Sequence, residues 1–368
     1  MSPEVVPVNS LRRHTQPIED QLVEAANKVI RSGHFVLGPH VKAFELQYAE
    51  YCGTGHCVSV ANGTDALELS LRALGVGADD QVGVTANAAM YGTTAVLACD
   101  ATPVFIDVLM DEATIDPEAL KSVLSKHKLK AVIVTHLYGR LARIAEIIEL
   151  CHQAGVWVVE DCAQAHGACN QEGRKAGAFG EIGTFSFYPT KNLGALGDGG
   201  AIVCSDMALA ERVRQLRQYG WSDKYTNSLT GGRNSRLDEI QASILSCMLP
   251  LLDSWNDRRR RVANRYSEEI LNDRITLNPV AGNEYVGHLY VARSTARSEL
   301  RMHLQRLGIQ SEIHYPLPDY RQPCFGGSYS HQALPVTEIL CDTVITLPCF
   351  PELTDAEIQR VIDACNQF

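Results

Sequence analysis

Several common chemistries are missing from this 368-residue sequence. Its 12 cysteines form no Cys-x-x-Cys pair, which excludes zinc ribbons and thioredoxin-like redox motifs. Walker A is absent, because Lys191 stands between Thr190 and Asn192. The dinucleotide fingerprint fails twice. Gly53-Thr54-Gly55 has Val58 where the third glycine belongs, and Gly197-Asp198-Gly199-Gly200 precedes a strand pattern rather than a helix. HExxH does not occur, and neither GxSxG nor SxxK stands at a glycine-rich turn. Clustered basic charge is also lacking. The net charge of −10 argues against a nucleic-acid-binding face, and the one basic run, Arg258 to Arg261, reads as a solvated helix face.

Long apolar runs are equally scarce. The longest uncharged stretch, Gln81 to Cys99, carries Asn87, Tyr91, Thr93, Thr94 and two glycines, which suits a buried strand and helix better than a membrane span. The first fifteen residues hold no apolar signal-like core, so a cytoplasmic protein with no membrane association is expected. The scattered cysteines then read as reduced thiols, mostly small buried hydrophobes. Cys162, His166 and Cys169 are three possible ligands without a fourth, and no metal is expected.

What is present is an ordinary globular composition, 45% hydrophobic, with strands and helices in alternation. A helix is expected from Pro17 to Ser32, stopped by Gly33, then a strand from His56 to Ala61. Asn62-Gly63-Thr64 turns into a second helix. Strands Val82–Thr85, Pro103–Val108, Ala131–Thr135 and Val156–Glu160 follow, with helices between them at Pro117–Lys126 and Ile144–Gln153. Such βαβ order implies an α/β fold with a mainly parallel sheet flanked by helices. Two short strands, Thr184–Phe187 and Ala201–Cys204, flank a glycine-rich loop. A long polar helix opening at Pro250 leads to a smaller α+β part with strands at Gly287–Ala292, Ile309–Ile313 and Val344–Leu347. Two domains are expected, a large one over 1–250 and a small C-terminal one over 251–368.

Ligands of parallel sheets bind at the carboxyl ends of the strands, and the chemistry-bearing residues cluster there. Lys191 follows a buried strand inside an apolar, aromatic segment, Phe185-Ser186-Phe187-Tyr188-Pro189-Thr190-Lys191. A lysine is ordinarily a solvated surface group, but desolvation lowers its pKa toward the neutral amine that Schiff-base chemistry needs. Asp161 ends the strand of Val156 to Val159; it either caps a loop or faces a ligand. A lysine with a buried aspartate is the pair that pyridoxal 5′-phosphate requires, one to bond its aldehyde and one to keep its ring nitrogen protonated. Asn62-Gly63-Thr64-Asp65 offers a helix N-terminus as a phosphate cup, which Ser186 extends. The charge of Asp65 opposes that use unless its side chain turns away. Tyr91 offers an aromatic face for the ring, or simply packs in the core.

Long segments of the chain resemble the DegT/DnrJ-type sugar aminotransferases of the aspartate-aminotransferase fold, the type I fold of pyridoxal-phosphate enzymes. They are SGHFVLGPHVKAFE (32–45), NGTDAL (62–67), VVEDCAQAHGA (158–168), FSFYPTKNLGALGDGGAIV (185–203) and GGRNSRLDEIQA (231–242). The resemblance implies that Lys191 is the Schiff-base lysine and proton shuttle and that Asp161 pairs with the ring nitrogen. It further implies that Gln164 lies near the ring hydroxyl, that Gly63, Thr64, Asp65 and Ser186 hold the phosphate, and that Tyr91 stacks on the ring. Asn234 would reach the phosphate of a neighbouring subunit, making a homodimer with shared active sites. Arg236 is implied as the fork for the carboxylate of L-glutamate, the amino donor. The acceptor would be a nucleotide-linked keto sugar, with dTDP-linked 3-keto-6-deoxyhexoses favoured by the His314-Tyr315-Pro316 segment, and the product would serve deoxyamino-sugar or polysaccharide synthesis. Phe35, Leu37 and Tyr188 are further expected sugar contacts. The alternatives are a 4-keto-sugar or amino-acid aminotransferase, a desulfurase using a loop cysteine such as Cys324, or a non-catalytic sensor that binds the cofactor.

Overall fold

The computed structural model describes residues 5–280 and 282–368. In chain order, α1 (Leu11–Thr15), α2 (Glu19–Ser32) and α3 (Pro39–Cys52) precede β1 (His56–Val60) and α4 (Gly63–Ala73). Next come β2 (Gln81–Thr85), α5 (Tyr91–Ala98), β3 (Thr102–Ile106), α6 (Pro117–Lys126), β4 (Leu129–Thr135), α7 (Ile144–Gln153) and β5 (Trp157–Asp161). The succession continues with β6 (Ile182–Ser186), β7 (Gly200–Cys204), α8 (Met207–Leu216), β8 (Trp221–Asp223), β9 (Thr226–Asn227), α9 (Glu239–Met248) and α10 (Leu252–Glu269). The last elements are β10 (Thr276–Leu277), β11 (Tyr290–Arg293), α11 (Arg297–Arg306), α12 (Pro335–Thr343), β12 (Val344–Leu347) and α13 (Asp355–Asn366).

Seven strands form one sheet in the order β1-β7-β6-β5-β4-β2-β3. Only β7 runs against the others, because the short β6–β7 connection reverses the chain; the parallel pairs are joined by crossovers, through helices except for β5 to β6, which are linked by the helix-free segment 162–181. Both faces are buried, which is why the strands are apolar throughout instead of alternating. Val132, Val134 and Val158 point into one core, with Phe44 and Tyr48 of α3 and Ile144 and Ile147 of α7. Ala131, Ile133 and Val159 point into the other, with Leu67 and Leu71 of α4 and Val213 of α8.

A second, three-stranded antiparallel sheet, β10-β11-β12, carries α11 and α13. Helix α10 joins the two bodies. Leu252 and Trp255 at its start belong to the large core, and Val262 and Tyr266 further on belong to the small one. The chain also crosses between them twice more. Val6 bridges to Ile309 in the small body, and Tyr320 and Leu334 return to pack on the large sheet.

Two expectations change. Residues 309–313 do not make a strand; Ile309 and Glu312 form only isolated bridges, to Val6 and Thr346. The run Arg258 to Arg261 is not a uniformly solvated face either. Arg259 is buried and donates from Nη1 to the carbonyl of Cys349 at 2.6 Å. Burial lowers its pKa, and backbone carbonyls take the place of water around it. Helix α3 and the β8–β9 hairpin lie outside the elements read from the sequence; α3 follows a Gly-Pro turn and buries apolar side chains at Val41, Phe44 and Tyr48.

Candidate active site

A cavity of about 790 Å³ opens at the carboxyl ends of the large sheet, between it and the small body. Sheet register builds its floor. Thr135, Asp161 and Thr184 pair side by side across β4, β5 and β6 and all three line the cavity. The Asp161 carboxylate accepts the Ala163 N–H at 3.1 Å and the Thr135 hydroxyl at 3.4 Å. Burial raises its pKa, and the Ala163 N–H and the Lys191 charge oppose that rise.

Lys191 lies in the loop between β6 and β7. The loop closes on itself through Phe187 N–H to Gly199 O and Ala195 N–H to Phe187 O, both 2.7 Å, and Lys191 N–H to Tyr188 O at 2.8 Å. The neighbouring Asn192 is clamped. Its amide donates to Asn256 Oδ1 at 2.8 Å and Val286 O at 3.0 Å, and its oxygen faces His288 Nδ1 at 3.0 Å. The Lys191 ammonium is pushed down to about 8 by burial, with Asp161 pulling the other way. About a tenth of the amine is therefore free at pH 7, far more than for a solvated lysine.

An anion cup adjoins this pair. Asn62 caps α4 and takes the N–H of Asp65 at 2.8 Å. The N–H groups of Gly63 and Thr64, ahead of the first helical bond, meet no acceptor among the described residues and face the cavity with the helix dipole behind them. Gly63 is needed for closeness: a Cβ there would sit 2.7 Å from the Ser186 Cβ. Asp65 pairs with Arg233 at 3.1 Å, so its charge is turned away and offset. Asp65 lines the cavity beside the cup, with its own N–H bonded to Asn62.

Tyr91 lines the cavity and is half exposed. Gln164 ties the two bodies together, accepting Tyr138 N–H at 2.6 Å and donating to the Tyr315 hydroxyl at 3.1 Å. Tyr188, His314 and Tyr315 also line the cavity. Phe35, Asn234 and Arg236 do not, and Leu37 faces a separate shallow groove along α3. Cys324 is exposed and lies apart from the cavity.

The sequence reading misses Thr135, Thr184 and His288, all in the cavity wall. The two threonines are visible as strand ends, but only pairing shows that they flank Asp161. With its Nδ1 on the Asn192 oxygen, His288 holds its proton there and presents Nε2 as an acceptor. Burial and the nearby Lys191 push its pKa well down. His166 and His314 fall to about 3 and about 4 for the same reasons, so both face Lys191 as neutral rings.

The sequence-local trio Cys162, His166 and Cys169 does not form a ligand set. Among the described residues, His136, Glu160 and Cys162 are the group whose donor atoms converge. Their capacity is used. Glu160 accepts His136 Nε2–H at 3.0 Å and the N–H groups of Gly177, Phe179 and Gly180 at 2.7–2.9 Å, while His136 Nδ1 accepts Ala142 N–H at 3.0 Å. Burial holds the Cys162 thiol protonated.

The sequence matches the profile of the DegT/DnrJ/EryC1/StrS aminotransferase family over residues 16–366. The chain belongs to this family. It is 40% identical to the dTDP-3-amino-3,4,6-trideoxy-alpha-D-glucose transaminase of Streptomyces venezuelae, over 99% of this chain and 96% of that protein. The crystal structure of S. venezuelae DesV superposes with a TM-score of 0.95 at 40% identity, covering 99% of this chain and 98% of that one. Bacillus subtilis NtdA, solved with bound cofactor PMP, superposes at 0.93 with 26% identity, covering 100% of this chain and 86% of that one. The fold is that of the type I aminotransferases, and pyridoxal 5′-phosphate is the cofactor of this family member. Its residues suit the group. The two unpartnered N–H groups and Ser186 match a phosphate, the depressed Lys191 an aldehyde, and the buried Asp161 a protonated pyridine nitrogen.

Proposed function

We propose that the protein moves the amino group of L-glutamate to the keto carbon of a nucleotide-linked deoxysugar, with a dTDP-linked 3-keto-6-deoxyhexose as acceptor. The observation that carries this reading is one cavity holding a lysine made less basic by burial, a carboxylate at the end of β5 and an anion cup. The position and carrier rest on the name of the S. venezuelae relative, whose product bears its amine at carbon 3 of a dTDP sugar. Beyond the cup, the cavity runs on to Glu312, His314 and Tyr315, leaving room for a sugar against the small body.

When bound, pyridoxal phosphate supplies an aldehyde that takes up the donor's amine and a ring that accepts the electron pair of a broken Cα–H bond. Gly63, Thr64 and Ser186 would hold its phosphate, with Asp65 shaping the cup through its bond to Asn62. Tyr91 would cover the ring and Gln164 would lie beside its hydroxyl. Asp161 would keep the ring nitrogen protonated. Lys191 would bond the cofactor at rest, and its freed amine would take the proton from the donor's α-carbon and carry it to the cofactor carbon beyond the shared nitrogen. The same residue reverses the transfer on the sugar. Tyr188, His314, Tyr315 and the acceptor nitrogen of His288 would orient the sugar hydroxyls.

Phe35, Asn234 and Arg236 lie outside this chain's own cavity, and we assign them to a neighbouring subunit's site. Asn234 would reach the phosphate and Arg236 the glutamate carboxylate, in a homodimer with domains dividing near residue 250. A cytoplasmic location accords with nucleotide-sugar substrates; no helix among the described residues is long and apolar enough to cross a membrane.

Purified protein incubated with glutamate and a panel of keto-sugar nucleotides tests the reading. Amination of a dTDP 3-keto sugar, lost in Lys191→Ala, is expected. Normal turnover in that variant, or preference for a plain 2-oxo acid, overturns it. A yellow colour that glutamate fails to bleach would mark a binding protein rather than an enzyme.

A further inference from the structure

Helix α5 begins at Tyr91, and it begins under constraint. The two residues before it, Ala89 and Met90, both take left-handed backbone conformations, with φ of +56° and +68°. Neither is a glycine or an asparagine, the residues that enter this region with least strain. Met90 occupies the N-cap position and has no side-chain oxygen to cap the helix. The cap comes from far along the chain. Asp319 accepts the Met90 N–H at 3.0 Å on one carboxylate oxygen and the Thr93 hydroxyl at 2.6 Å on the other. Its own N–H donates to Ala86 O at 2.8 Å, just past β2. Asp319 is buried, so these are its partners instead of water.

We infer that Asp319 is a positioning residue for the cofactor: through Met90 and Thr93 it holds the strained start of α5, and thereby the ring of Tyr91, in place over the cavity. The inference rests on the proposed role of Tyr91 against the cofactor. The Asp319 side chain meets both the N-cap N–H and the third-position hydroxyl of this helix. Stability alone does not account for the residue. Burial raises the Asp319 pKa to about 6 despite both hydrogen bonds, so above that pH its charge costs the folded state more than its partners return. A costly buried charge beside two strained residues, at the first residue of a cavity-lining helix, is the pattern of a site held for function. The bond also ties the start of α5 to the segment that carries His314 and Tyr315, which line the same cavity a few residues before Asp319.

Variants of the protein, each reconstituted with pyridoxal phosphate, test this. Asp319→Asn keeps an acceptor for Met90 N–H and a polar partner for Thr93, and is expected to bind the cofactor like the parent. Asp319→Ala is expected to bind it about tenfold more weakly and to alter the circular dichroism band of the bound cofactor. In a Tyr91→Leu background the alanine substitution should add nothing, because its effect passes through that ring. Additive losses, or an Asp319→Ala protein with parental affinity and an unchanged band, would overturn the inference. Should Tyr91→Leu alone leave cofactor affinity unchanged, the assigned role of Tyr91 fails instead. Thr93→Val removes one of the two bonds at nearly constant shape and replaces Asp319→Ala if that protein does not fold; it should show the same loss at smaller size.

Discussion

At the scale of single residues, the site is a set of groups whose pKa values burial has moved away from those they have in water. Lys191 is the clearest case. In an unfolded chain it titrates near the ordinary lysine value; in the fold, burial brings it to about 8. Between those two values the unfolded chain binds a proton that the folded chain has released. Stability of the cofactor-free protein therefore rises with pH across that window, and the burial penalty is complete below it. Lys191→Met removes the penalty. Its melting temperature should exceed that of the parent apoprotein at pH 7, and the gap should close as pH climbs from 8 toward 10.5, read by calorimetry on both proteins side by side. A gap independent of pH would mean that Lys191 is not desolvated.

At the scale of elements, short connections at strand ends do the positioning. Asn62 shows how. Its side chain closes the first turn of α4 by taking the Asp65 N–H, leaving the Gly63 and Thr64 N–H groups for a ligand. Asn62→Ala should cost about 1 kcal/mol of stability from the lost cap and weaken the binding of pyridoxal phosphate, while free inorganic phosphate competes less well against it. Denaturant melts and cofactor titrations measure the two effects separately. The Pro117–Lys126 and Ile144–Gln153 helices and the Val344–Leu347 strand appear in the fold with the boundaries their sequence patterns predict, because caps and apolar spacing are local. Residues 309–313 show the opposite. They look like a strand by composition, but the neighbour they would need on one side is the far N-terminal Val6, which offers a single bridge.

At the scale of the whole molecule, the cavity is built by segments that the chain order keeps apart, and in the proposed homodimer by two chains. Mixing is the test. Lys191→Ala and Asn234→Ala proteins, each inactive alone, should regain about a quarter of parental activity when unfolded and refolded together, since half of the random dimers are hybrids with one intact site in two. No recovery, with hybrid dimers demonstrated by mass, would place Asn234 in its own chain's site or in none.

The sequence alone determined the alternation of strands and helices, the family, and the nomination of Lys191 and Asp161 as the candidate pair, because those are carried by local periodicity and by long contiguous motifs. It could not show that Asp65 is silenced by Arg233, that Arg259 is buried against carbonyls, that Thr135 and Thr184 flank Asp161, or that Asp319 holds the start of α5. Each of these joins residues distant along the chain. Strand register and burial decide such pairings, and with them which charges are met and which pKa values move, so only the tertiary structure could settle them.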